Sequence, residues 1–97
     1  MSGPANPASP GCAYRAAECL DFWNQHASPG AHAAAPAAVS SCDGQYPQAQ
    51  ADERFFWLLT YTATVEGGAT QTFNCKKVVT DKRLDPFGGP VEWVNKA

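Results

Sequence analysis

The stretch RFFWLLTYTATVEGGATQTFNCKKVVT, Arg54–Thr80, decides the fold. Aromatic, β-branched and threonine residues fill it, and only Gly67-Gly68 interrupts them, which predicts two strands joined by a tight turn. Because side chains alternate strictly along a strand, the register follows from which pairing keeps the two faces chemically distinct. A two-residue turn at Gly67-Gly68 sets Leu59 opposite Lys76 and Thr62 opposite Phe73, mixing the faces. A three-residue turn, Glu66-Gly67-Gly68, separates them: Phe55–Val79, Leu59–Cys75 and Tyr61–Phe73 fall on one face. Thr60–Asn74, Thr62–Thr72 and Thr64–Thr70 fall on the other. Glycine at the last turn position accepts the positive φ that such a bulged turn requires.

Upstream, Ser9-Pro10 reads as an N-cap followed by proline at the first helical position, where its missing N–H costs nothing. Cys12, Ala16, Cys19, Leu20, Trp23 and Ala27 then recur at helical spacing, while Arg15, Glu18, Asp21 and Gln25 fall outside that stripe. Ser28-Pro29-Gly30 ends the helix. Seven of the twelve residues Ala27–Ala38 are alanine, interrupted by Pro29 and Pro36, and read as a connector. Val39–Tyr46 reads as a short edge strand, with Asp43-Gly44 as a turn signal. Downstream, Asp85-Pro86 and Gly88-Gly89-Pro90 exclude regular structure. Val91–Val94 is expected to form a last strand, with either Val91 and Trp93 or Glu92 and Val94 facing inward.

The chain therefore divides into a flexible arm at residues 1–8 and a single α+β domain at 9–97, since 97 residues do not support a second core. The expected architecture is one N-terminal helix packed on a three- to four-stranded antiparallel sheet, which buries both apolar surfaces at once. This order of elements, from about residue 10 onward, resembles that of the small cystatin-like and NTF2-like α+β class, in which a helix sits in a curved sheet. The glutamine-valine-glycine loop of true cystatins has no counterpart in Gln45-Tyr46-Pro47.

Four cysteines in so short a chain predict structural disulfides, and with them an exported protein, periplasmic, envelope or extracellular. Neither a C-x-x-C pair nor a compact zinc spacing occurs, so no metal site is expected. Within one helix, seven residues place the Cα atoms of Cys12 and Cys19 about 10 Å apart. A disulfide requires less than about 7 Å, so the two pair with different partners. Either Cys12–Cys42 goes with Cys19–Cys75, or Cys12–Cys75 with Cys19–Cys42. The inward-facing Cys75 under the helix favours the first. The chain as given begins with a small, polar, proline-rich segment and carries no signal sequence. It also lacks an apolar run long enough for a membrane span.

Functionally, the sequence points away from catalysis and from any cofactor. His26 lies at the helix C-terminus and His32 in the alanine-rich loop, and neither has spacing that pairs it with a nucleophile. Glu18 and Asp21, with Arg15 before them, read as a solvated salt-bridged helix face. The glycine doublets lack the lysine and helix of a phosphate loop. A net charge of −2 supplies no field for nucleic acid. Four of the seven basic residues, Lys76, Lys77, Lys82 and Arg83, cluster near the hairpin's end, and Phe87 and Trp93 sit in or beside the glycine- and proline-rich segment that follows. Aromatics on such loops anchor protein interfaces, so these six residues form the expected binding surface. The leading expectation is a non-enzymatic domain that binds another protein, of inhibitor, immunity or envelope accessory type. The rivals are a thiol-redox protein or small enzyme, and a sheet-face binder of single-stranded nucleic acid or carbohydrate, the latter using the threonine array.

Overall fold

The structure, a computed structural model, describes residues 2–4, 6–45, 55–79 and 91–96. Its elements run β1 (Ser2–Pro4), α1 (Pro10–His26), β2 (Ala33–Gln45), β3 (Phe55–Val65), β4 (Thr70–Val79) and β5 (Val91–Lys96). The strands form one open antiparallel sheet in the order β1-β2-β3-β4-β5, with α1 packed on one face. The fold is α+β as expected, with five strands in place of three or four.

The hairpin adopts the three-residue turn. Leu59 pairs with Cys75, Tyr61 with Phe73, Thr60 with Asn74, Thr62 with Thr72, and Thr64 with Thr70. Val65 N–H donates to Ala69 C=O at 2.8 Å, and Gly68 N–H donates to Val65 C=O at 2.9 Å. Gly67 and Gly68 both take positive φ, 97° and 95°, so the turn uses each glycine for conformational freedom and not only the second.

The helix also starts where its cap residues place it. The Ser9 hydroxyl accepts from Cys12 N–H at 3.2 Å, and Pro10 opens the first turn. Cys12, Ala16, Cys19 and Leu20 are buried against the sheet. Two disulfides, Cys12–Cys42 and Cys19–Cys75, fasten α1 to β2 and β4, each with Cα atoms 6.2 Å apart. Behind the helix, Asn24 clamps the chain with a reciprocal pair: its Nδ2 donates to Ala33 C=O and its Oδ1 accepts from Ala33 N–H, both at 2.8 Å. Trp23 Nε1 donates to Ala31 C=O at 2.9 Å and holds the same connection.

Three segments depart from the sequence reading. Ser2–Pro4, expected within a flexible arm, forms edge strand β1 against Asp43–Gln45. Three residues without apolar alternation leave no strand signal, and proline is compatible with an outermost strand. The alanine-rich connector is half strand, because β2 begins at Ala33 and lies inside the sheet between β1 and β3. Asp43-Gly44 is therefore strand and not turn. Pro36, which cannot donate to a ladder, falls in a register shift between Ala34 and Ala38. A second shift between Val39 and Ser41 lets β2 continue. In β5, Lys77 pairs with Val91 and Lys76 with Trp93, so Glu92 is the extra residue of a bulge. That bulge turns Val91 and Val94, three apart, onto the core side, a combination neither expected alternative contained.

The core lies between α1 and the inner face of the sheet. Tyr61 and Phe73 stack at 5.2 Å between ring centres, and Trp23 meets Phe73 edge-on at 5.0 Å. Ala16, Leu20, Ala33, Leu59, Ala63 and all four cysteines belong to the same buried cluster.

Candidate functional site

Each face of the sheet has its own chemistry. On the inner face, Arg15 and Lys77 are buried, at 3% and 5% exposure. The carboxylate of Glu18 bridges them, with Oε1 2.7 Å from Arg15 Nη1 and Oε2 3.2 Å from Lys77 Nζ. This corrects two expectations: Arg15 and Glu18 are not simply a solvated helix face, and Lys77 is not part of an exposed basic surface. Hairpin alternation explains the second, because Lys77 shares its side of β4 with Phe73 and Cys75. The Asp21–Gln25 hydrogen bond of 2.9 Å does lie on the exposed side of α1.

The outer face holds the remaining candidates. Its side chains form rows across neighbouring strands, set by the register. One row is Ser41, Thr60, Asn74 and Asn95, from β2, β3, β4 and β5. The next is Asp43, Leu58, Lys76 and Trp93. Together they line an open groove of about 330 Å³, which takes in every member of the two rows except Lys76. Trp93 is 41% exposed. Beside it, Lys76 Nζ sits 4.5 Å from the ring centre of Phe56 and 3.0 Å from Glu92 Oε1. Thr60 Oγ1 donates to Asn74 Oδ1 at 2.9 Å, which commits that oxygen and leaves the Asn74 amide N–H groups to point elsewhere. Farther along the face, Thr64, Thr70 and Thr72 are exposed, the outer half of the expected threonine array.

Of the six residues expected to form a binding surface, the structure thus brings together Trp93 and Lys76 and directs Lys77 to the opposite face. Phe87, Lys82 and Arg83 lie outside the described residues. Ser41, Asp43 and Asn95 went unread as site residues, because their alignment depends on bulges in β2 and β5 that composition does not mark. Thr60 and Asn74 were legible from the hairpin register.

The histidines do not assemble a reacting centre among the described residues. His26 Nδ1 lies 2.9 Å from Phe22 C=O in the last helical turn. His32 binds Glu66 at the hairpin tip: Glu66 Oε2 accepts His32 N–H at 3.0 Å and lies 3.1 Å from His32 Nδ1. The His32 backbone N–H is the main influence holding the Glu66 carboxyl below its usual range, followed by the His32 ring. Both disulfides together occupy all four cysteine sulfurs. Among the described residues, no group of three or more histidine, cysteine or acidic side chains converges as metal ligands, and no helix is long and apolar enough to cross a membrane. The two disulfides fit a secreted or exported protein. Comparison with protein-family models, with curated proteins and with solved structures gave no match.

Proposed function

We propose that this chain is an exported, non-catalytic binding domain that recognises another macromolecule, a protein of the cell envelope or its surroundings, through the outer face of its sheet. The observation that carries this reading is Trp93, an indole 41% exposed on the face opposite the helix, while Tyr61 and Phe73 are fully buried on the other side. A tryptophan on a rigid strand, with its backbone fixed by the β4 ladder, presents a large amphipathic surface at low entropic cost. Phe56 and Lys76 extend the surface with a cation held over a ring. Two disulfides and a reciprocal Asn24 clamp hold the scaffold behind it rigid, so little ordering opposes binding.

The test is affinity capture from an envelope and culture-medium extract of the source cells, with wild type and Trp93→Ala as parallel baits and Tyr14→Ala as control. Among the described residues, Tyr14 is the other exposed large hydrophobic residue, and it lies on the helix. The reading requires a protein retained by wild type and by Tyr14→Ala and lost with Trp93→Ala. Identical captured sets for wild type and Trp93→Ala would refute it.

A further inference from the structure

The outer-face groove has a chemistry more specific than its exposed tryptophan alone. Its polar row, Ser41, Thr60, Asn74 and Asn95, crosses four neighbouring strands. At about 4.8 Å per strand it extends roughly 14 Å, longer than one sugar ring. Hydroxyl and carboxamide groups make up this row, and each can both donate and accept hydrogen bonds. Asp43 adds an acceptor at one end and Trp93 an indole at the other, with Leu58 and Lys76 between them in the second row.

We infer that this groove binds a neutral sugar chain, resting on the reading of the outer face as the recognition surface. A pyranose ring has an apolar C–H face that packs on an indole and an equatorial rim of hydroxyls that need partners of both kinds. Trp93 supplies the first and the polar row the second. The Thr60–Asn74 hydrogen bond fixes the Asn74 amide in advance, so its N–H groups are oriented before a ligand arrives. Charge narrows the class further. The groove lining among the described residues includes one carboxylate, Asp43, and no lysine or arginine, so a phosphate or nucleic-acid backbone finds no counter-charge there. Lys76, which stands between Leu58 and Trp93 in the second row but does not line the groove, is engaged by Glu92 and Phe56. A lipid chain would desolvate the Ser41 hydroxyl, the Asn74 amide N–H groups and the Asn95 carboxamide without offering them partners, which opposes it. The sugar is carried as a glycan on the partner protein.

The probe is a panel of soluble, uncharged oligosaccharides of glucose, N-acetylglucosamine, mannose and galactose, titrated into the folded, disulfide-bonded protein. The side-chain amide signals of Asn74 and Asn95 and the indole N–H of Trp93 are followed by NMR. A saturable shift of these three signals with at least one panel member is expected, and the affinity read from the signals that remain falls roughly tenfold or more in Trp93→Ala and in Asn74→Ala. Asn95→Ala, at an exposed position, repeats the test where a folding defect is least expected. Absence of any shift at millimolar sugar, or shifts that persist in Trp93→Ala, overturns the inference. If extract capture still depends on Trp93 while no sugar binds, the recognition surface stands and the sugar class falls. Where sugar does bind, deglycosylating the extract separates the sources: loss of the captured protein assigns the sugar to a glycoprotein, and displacement only by added polysaccharide assigns it to the polymer. Protein capture that survives both treatments counts against the sugar.

Discussion

Tyr61 is the residue at which the core departs from its own rule. Its ring is fully buried and stacked on Phe73, yet its hydroxyl has no hydrogen-bond partner among the described residues. Burial accordingly pushes that hydroxyl above the usual phenolic range. Removing a buried polar group that lacks a partner relieves a desolvation cost of about 1–3 kcal/mol, against the loss of little packing. Tyr61→Phe is therefore expected to leave the urea midpoint unchanged or raise it, and a loss exceeding about 1 kcal/mol would show that the hydroxyl is satisfied. Glu66 is the corresponding case at the surface. Its folded-state carboxyl titrates below its ordinary value of 4.5, so its contribution is fully present above that value and is lost as the pH falls through the lower, folded value. The difference in unfolding midpoint between wild type and Glu66→Gln should shrink as the pH falls below the ordinary carboxyl value of 4.5. A difference that widens on acidification would contradict the assigned His32 contacts.

At the scale of elements, the hairpin shows how far alternation reaches. Arg54–Thr80 contained enough information to choose the three-residue turn over the two-residue one, because only one register separated the aromatics from the threonines. The turn carries a testable cost. Gly67 and Gly68 sit at φ 97° and 95°. Alanine at either is expected to destabilise the protein by about 1 kcal/mol or more, even though an added Cβ meets nothing within 4 Å. Gly11, also open around its Cβ and in the first helical turn, gives the contrast: Gly11→Ala should stabilise by about 0.5–1 kcal/mol. Thermal unfolding of the three variants checks both signs. The candidate site was half legible at this scale. Thr60 and Asn74 came from the hairpin register, whereas Ser41 and Asn95 needed bulges at Ser40 and Glu92 that shift parity without a distinctive residue. Lys77 was misread for a related reason. A lysine at an inward position is decided by whether a carboxylate stands across the interface, and Glu18 belongs to a different element nearly 60 residues away in the chain.

Over the whole molecule, the disulfides join what the sheet ladder does not. α1 touches β3 and β4 through few residues, and the Cys19–Cys75 link spans 56 positions of chain. A closed loop of that length removes unfolded-state entropy equivalent to about 4 kcal/mol in the chain-entropy account, a large fraction of the stability of a small domain. The double variant Cys19→Ala/Cys75→Ala should lose about 2–5 kcal/mol, read as a fall in the denaturant midpoint. A loss below about 1 kcal/mol would mean that the helix and sheet hold together by packing alone. Peptide mapping without reduction should recover the Cys12 peptide bound to that of Cys42, and the Cys19 peptide bound to that of Cys75.

Local chemistry within short windows was determined by the sequence alone: the cap at Ser9, the stop at Ser28-Pro29-Gly30, the hairpin and its register, and a cysteine pairing that helical rise restricts to two choices. Each follows from steric and hydrogen-bonding rules that act over a few residues. The tertiary structure decided whatever depended on a neighbour distant in sequence. It placed β1 at the sheet's edge and β2 inside it, buried Lys77 against Glu18, and turned Val91 and Val94 inward together. It also aligned Ser41, Thr60, Asn74 and Asn95 beside Trp93. These outcomes rest on pairing between strands and on burial against the helix, and neither exists until the chain has closed on itself.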